Sequence, residues 1–409
     1  VSDPIIIIGA GAAGIGAALE CAARGAPYLV LEASDRIGGR AYTAASGLPG
    51  AWDHGCHWLH CADVNPLVAW ADQLGATYRT AEVANPYQIW TDGAFVGASD
   101  VHAYDAAVTA AFDAVERSGR DVPIPEVLPD AGRWTPAVRQ ILALMAGEDA
   151  ARVSAAGYAD YADTGQNWPV LSGYGAFIGA MAAGLSIRTG ITVRAITQRS
   201  NGATVITDQG ALNASGVIVT VSTGVLASGA IGFGPGPAAD LVAKIGDIPC
   251  GAYEKVAFAM DVLPPELHGT RFLSIQQAGA DLATSFQIIP GAAPMMLCHV
   301  AGDTARALTA AGPAALTDYA QGALVQAFGA GISERIVGTA TTGWTENPLI
   351  LGSYSQARPG AAQLRRDLIA ADTGCVAFAG EAFSLHWQST AHGAYQSGRD
   401  VAARMTPLS

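Results

Sequence analysis

Positive charge is scarce in this sequence. Lysine and arginine together number 22 against 35 aspartates and glutamates, a formal net charge of −13 with histidine neutral. That balance argues against a general nucleic-acid binder, which needs a basic footprint for the phosphate backbone. Long hydrophobic runs are missing too. The apolar stretches near the N-terminus break at glycine after a few residues, so no membrane span and no secretory leader with a basic flank is read, and the C-terminal RMTPLS carries no apolar anchor. No CxxC pair occurs among the six cysteines, Cys21, Cys56, Cys61, Cys250, Cys298 and Cys375; reduced thiols in a cytoplasmic protein are the expectation. No repeat period stands out.

What is present is a chain of 409 residues, half of them apolar, enough for two or three domain equivalents of about 150 residues each. Its 49 glycines and 21 prolines are spread among apolar stretches and read as turns of a globular enzyme. The N-terminus is an apolar strand, Ile5 to Ile8, followed by Gly9-Ala10-Gly11-Ala12-Ala13-Gly14, a helix from about Ala12 to Arg24, and a second apolar strand, Tyr28 to Leu31, ending in Glu32. This is a βαβ unit with strands buried on both faces. Longer helical segments follow, such as Ala103 to Glu116 and Ala137 to Met145. Short strands return from Leu185 through Val219, a different region runs from Tyr253 to about Trp344, and a last strand, Cys375 to Ala379, leads into a helix from about Ser389. The expected fold class is α/β. A Rossmann-like dinucleotide-binding domain is assembled from 1–80, 183–252 and 345–409, with a discontinuous second, mixed α+β substrate domain from 81–182 and 253–344.

A bare GxGxxG is weak evidence in a glycine-rich chain, but its placement between strand and helix, with an acidic residue closing the next strand, carries weight. Gly9 permits the tight turn, Gly11 lets the backbone approach a pyrophosphate, and Gly14 lets the helix pack on the sheet. The helix N–H groups then face phosphate charge, and Glu32 sits where a carboxylate accepts ribose hydroxyls. The bland alternative is an ordinary αβ turn ending in an exposed glutamate.

After Glu32 comes Ala33-Ser34-Asp35-Arg36-Ile37-Gly38-Gly39-Arg40, where glycines bring the chain close and Arg40 supplies a fork of donors for a phosphate oxygen. With this E…GGR pattern the sequence resembles the FAD-dependent amine oxidoreductase family, which includes monoamine and polyamine oxidases. Val219-Thr220-Val221-Ser222-Thr223-Gly224-Val225-Leu226 resembles the family's V-x-V-P-x-G-V-L, with Ser222 in place of proline. Phe378-Ala379-Gly380-Glu381 and His392-Gly393-Ala394-Tyr395-Gln396-Ser397-Gly398 resemble its FAGE…HGAxxSG ending, so the matches touch the beginning, middle and end of the chain. The resemblance implies bound FAD held by Gly9, Gly11, Gly14, Glu32, Gly39, Arg40, Val193, Glu381 and Thr390. Glu381 would contact the ribityl and diphosphate region, and the helix after Ser389 would point its N-terminus at the flavin ring.

Three histidines, His54, His57 and His60, recur at a spacing of three in Gly50-Ala51-Trp52-Asp53-His54-Gly55-Cys56-His57-Trp58-Leu59-His60. On a helix they would share a face and suggest a metal, but Gly55 and the tryptophans weaken the helix and no zinc pattern appears. By resemblance the segment lies against the isoalloxazine, and His60 matches the active-site histidine of polyamine oxidases. Lys255 is one of few lysines. A strand lysine pointing outward is the ordinary reading, whereas the resemblance implies a lysine that holds a water beside flavin N5. Tyr354 would wall an aromatic substrate cage, and the facing tyrosine of monoamine oxidases aligns with Thr390, leaving Trp387 or a second-domain residue to substitute. Substrate contacts are thus expected from Tyr354, Trp387 and His60, and catalysis from Lys255, His60 and Tyr354. Ser353 stands where covalent-flavin members carry cysteine, so FAD is expected to be noncovalent.

The function so implied is oxidation of a primary or secondary amine to an imine, hydrolysed to an aldehyde or ketone, with oxygen reduced to hydrogen peroxide. A FAD-dependent desaturase or oxidase of a cyclic or hydrophobic substrate and an L-amino-acid oxidase are the alternatives. No metal, nucleic-acid or membrane partner is expected, and a homodimer is left open.

Overall fold

The structure, a computed structural model, describes residues 3–81 and 86–406. Residues 82–85 of the expected 81–182 segment and the last three residues of RMTPLS lie outside them. The strands Val376–Phe378, Gly216–Val219, Ile5–Ile8, Tyr28–Leu31 and Ile187–Arg188 form one sheet in that order, and every neighbouring pair is parallel. Parallel strands need cover on both faces. The helix Ala12–Ala23 provides part of it and is itself backed by the last helix, Ala391–Met405. Their contact is close: a Cβ on Gly16 would fall 2.3 Å from the Tyr395 carbonyl oxygen, and one on Gly398 would fall 1.9 Å from that of Ala13. Glu20 bonds Arg24 and Arg399 across this pair.

A second sheet of seven strands runs Ile336–Thr341, Tyr253–Met260, Met295–Ala301, Thr284–Ile289, Phe272–Gln276, Tyr87–Thr91, Ala94–Phe95. Alternation sorts its side chains. Val256, Phe258, Phe286, Met296 and Cys298 enter a core shared with the helices Gly302–Ala311 and Pro313–Phe328, while the opposite face turns toward the parallel sheet. The architecture is therefore a Rossmann-like unit beside a mixed α+β region.

The helices expected near 103–116 and 137–145 run Ala98–Ser118 and Thr135–Ala146. Several strands escaped the sequence reading: Tyr87–Thr91 and Ala94–Phe95 lie where helices were expected, and Gly210–Ala214, short and without β-branched residues, is held by antiparallel pairing with Gly202–Thr207. No helix among the described residues is long and apolar enough to cross a membrane.

Candidate active site

Both sheets abut a cavity of about 1150 Å³. Along its wall the strand Ile5–Ile8 passes into Gly9, whose φ of +104° suits glycine. A Cβ on Gly14 would fall 1.8 Å from the Gly9 carbonyl oxygen, so the third glycine is demanded by helix–strand packing. Gly11 is different. A Cβ there would meet nothing nearer than 3.9 Å; internal packing does not require glycine, but close approach of a ligand from the cavity would. Gly11 caps its helix without a side-chain bond, so the first-turn N–H groups border the cavity and suit an anion.

Glu32 is held by the N–H of Ala10 at 2.7 Å and by the N–H and hydroxyl of Ser34 at 2.9 and 2.8 Å. Arg36 stacks over Tyr42 at 4.1 Å, and its buried Nη1 has no hydrogen-bond partner among the described residues. Arg40 donates through Nη1 to the Ser353 carbonyl and, at 3.1 Å, to Glu381. Val193 lines the same wall. An acidic residue at the strand end, open helix N–H groups and two cavity-lining arginines fit a dinucleotide with an anionic diphosphate.

Glu381 is buried, and its two oxygens accept from Arg40, from the N–H and hydroxyl of Ser355, and from the N–H of Ser389. Burial alone would raise its pKa; Arg40, Arg365 and these bonds outweigh that and hold the carboxyl below its usual range. These bonds fix Arg40 and the turn before the last helix, while Glu381 itself lines the cavity.

Lys255 lines the same cavity, buried and facing inward rather than outward. Its Nζ donates to the carbonyls of Asp53 and Gly55 at 2.9 and 2.8 Å. Burial lowers its pKa to about 8, against a smaller opposing pull from Asp53. The loop that supplies those carbonyls is itself anchored. Asp53 accepts from Thr43, from the Tyr174 N–H at 2.9 Å and from His57 Nδ1 at 3.2 Å, and Gln287 donates to His57 Nε2 at 2.6 Å. A Cβ on Gly55 would fall 1.7 Å from the Arg40 carbonyl oxygen, so only glycine lets this loop pass.

The three histidines do not share a helix. They flank the short strands Trp52–Asp53 and Trp58–Leu59, and each has its own partners. His54 stacks on Trp52 at 3.9 Å, with burial lowering its pKa to about 4. His57 joins Asp53 to Gln287. His60 donates from Nδ1 to Asn167 Oδ1 at 2.7 Å, and burial keeps the ring neutral, leaving Nε2 as a lone-pair acceptor at the cavity. Among the described residues no group of His, Cys, Asp or Glu is arranged to hold a metal.

Tyr354 lines the cavity, and its hydroxyl donates to the Leu144 carbonyl. Thr390 caps the last helix, accepting from the Gly393 N–H at 3.0 Å while donating to the Trp387 carbonyl at 2.7 Å. The Trp387 indole lies 5.2 Å from the His392 ring and does not line the cavity, so the expected substrate contact from Trp387 is corrected. The ring beside Tyr354 is Tyr253, from the second sheet, with centroids 6.1 Å apart.

Residues 137–406 match the family described as flavin containing amine oxidoreductase, and residues 7–74 match a NAD(P)-binding Rossmann-like domain. The chain belongs to the flavin-containing amine oxidoreductase family. It is thus a FAD-dependent oxidoreductase of that family. It is 28% identical to lysine-specific histone demethylase 1 homolog 1 of Arabidopsis thaliana, over 98% of this chain and 52% of that protein. It is 26% identical to polyamine oxidase 4 of Oryza sativa subsp. japonica, over 96% of this chain and 86% of that protein. The chain spans about half the length of the demethylases it matches. The fold is shared with cyclohexylamine oxidase from Brevibacterium oxydans IH-35A, at a TM-score of 0.78 and 21% identity over 99% of both chains.

Within this amine oxidoreductase the cavity gathers Gly9, Gly11, Glu32, Gly39, Arg40, Val193, Lys255, His60, Tyr354, Glu381 and Thr390. Gly14 acts behind it, through packing. Sequence reasoning missed Tyr253, His299, Gln287 and Asn167. For Tyr253 a signal existed, since it precedes Lys255 by two positions on one strand and so shares its face. Asn167 and Gln287 meet their histidines across 107 and 230 residues, and no local pattern marks them.

Proposed function

We propose that this protein oxidises a primary or secondary amine at its α-carbon to an imine, which hydrolyses to an aldehyde or ketone, with oxygen reduced to hydrogen peroxide. The observation that supports this reading is one cavity lined both by a dinucleotide cradle and by a buried, carbonyl-held lysine. Bound FAD would supply the two-electron acceptor.

In this reading residues 1–80, 183–252 and 345–409 carry the FAD, and 81–182 with 253–344 close over the substrate. Gly11 and the helix behind it receive the diphosphate, Glu32 the ribose, and Arg36 and Arg40 the phosphate charge. Glu381 acts by fixing Arg40. Lys255 orders a water and meets developing negative charge. His60 offers Nε2 to the amine, and Tyr354 with Tyr253 walls the reacting carbon. Ser353 donates its hydroxyl to the Gly147 carbonyl at 3.2 Å and offers no thiol, so FAD is held noncovalently; acid-denatured protein should release all its flavin on dialysis.

Anaerobic mixing with a panel of amines tests the reaction. Bleaching of the flavin by amines, then peroxide on admission of air, is the expected result; no bleaching by any amine would refute it. The L-amino-acid alternative draws on Arg271, which lies in the cavity over Trp58 at 4.0 Å. Bleaching by amino acids but not by their decarboxylated amines would favour it.

A further inference from the structure

Beside Lys255 the seven-stranded sheet carries a row of three more polar side chains, His299, Ser285 and Ser274. Register sets Lys255 opposite His299, His299 opposite Ser285, and Ser285 opposite Ser274. Directly paired residues share a face, and all four line the cavity. With strands ~4.8 Å apart, Ser285 and Ser274 stand roughly 10 and 15 Å from the lysine strand.

The other face of these strands is apolar core, which makes the polarity of this row notable in energetic terms: buried hydroxyls are costly unless they find partners. The hydroxyls of Ser274 and Ser285 have none among the described residues, and neither oxygen is sealed in the protein, so both open onto the cavity. His299 Nδ1 lies 2.8 Å from the Tyr253 hydroxyl. Which of the two donates depends on the ring tautomer, and in either tautomer the pair shares a single proton across that bond. Burial holds the imidazole neutral. Beyond Lys255 the row therefore offers a neutral imidazole and two hydroxyls, without charge.

We propose that the substrate amine carries an uncharged oxygen function, a hydroxyl, ether or carbonyl, on its tail, and that His299, Ser285 and Ser274 recognise it. This rests on the amine-oxidation reading and names the substrate class for it. A second ammonium would meet no carboxylate in this row. A plain alkyl tail would strip water from both hydroxyls and return no bond.

The test compares aminohexanol with heptylamine, in which a methyl group replaces the hydroxyl, using the FAD-loaded enzyme. Two quantities are read: kcat/KM, and the dissociation constant from the anaerobic shift of the flavin absorbance band. The wild type should prefer the amino alcohol by about tenfold in both, and a Ser274→Ala/Ser285→Ala double variant should bring the ratio near one. Each ratio is taken within one protein sample, so a partly folded variant does not distort it. Equal treatment of the two amines by the wild type, or a preference that survives in the double variant, overturns the proposal. If neither amine bleaches the flavin, amine oxidation fails as the reaction, while the ratio of dissociation constants still decides the row.

Discussion

The parallel sheet reaches the cavity with backbone, and the seven-stranded sheet reaches it with side chains. At the first, Gly9, Gly11 and the open N–H groups of a helix border the space, joined by the strand ends Ile8 and Leu31 and by Glu32. At the second, alternate residues of four strands, Lys255, His299, Ser285 and Ser274, project inward while their neighbours pack outward. Backbone dipoles suit a ligand whose charge and shape never change. Side chains on a pleated surface can be exchanged one at a time without disturbing the ladder beneath them, so a substrate face built this way can vary while the cradle stays the same.

That contrast is sharpest at Gly11. A Gly11→Val variant puts a branched side chain into space that only a ligand would use. We expect a folded protein by circular dichroism whose flavin content falls to about a tenth or less of wild type, because close backbone approach is lost. Full flavin occupancy in that variant would break the comparison, since the cradle would then not depend on bare backbone.

Lys255→Met is the matching experiment on the other sheet and should leave the cofactor in place. Rapid-mixing rates of flavin reduction or reoxidation are expected to fall about 100-fold. The pH profile adds a second readout. Burial lowers the Lys255 pKa from 10.5 to about 8, so the ammonium is lost as pH rises through that value, and an inflection there should vanish in the variant. The sign for stability follows. Between about 8 and 10.5 the unfolded chain binds a proton that the native state has released, so wild-type stability rises with pH across that window. Denaturation of Lys255→Met should lack that rise.

The smallest expected effect lies at Ser222, where the family pattern has proline. Its hydroxyl accepts from the Val225 N–H at 3.1 Å and caps the short helix Thr223–Ala227, while its own proton goes to the Ile350 carbonyl. Ser222→Ala should cost about 1 kcal/mol in chemical denaturation. No loss would mean that side-chain polarity is as dispensable here, in the parallel-sheet region, as backbone exposure is essential.

Legibility from the sequence follows the same divide. The stretch from Ile5 to Glu32 could be read as strand, turn, helix and strand because its determinants are local: apolar runs, glycine sterics and a terminal acid within one βαβ unit. The extents of the later helices were readable to within a few residues for the same reason. Trp387 packs its indole against His392 instead of lining the cavity, a choice that tertiary packing makes and no local pattern marks. Glu381 lines the cavity, but its bond to Arg40, 341 residues away, carries no local signal in the sequence.

By itself, then, the sequence determined that a dinucleotide cradle exists and which glycines build it, because chain stereochemistry acts over a few residues. Only the tertiary structure decided that Lys255 turns inward onto the carbonyls of Asp53 and Gly55, and that His299, Ser285 and Ser274 fall in line beside it. Both depend on register between strands remote in sequence, and a shift of one residue would send the whole row into the core.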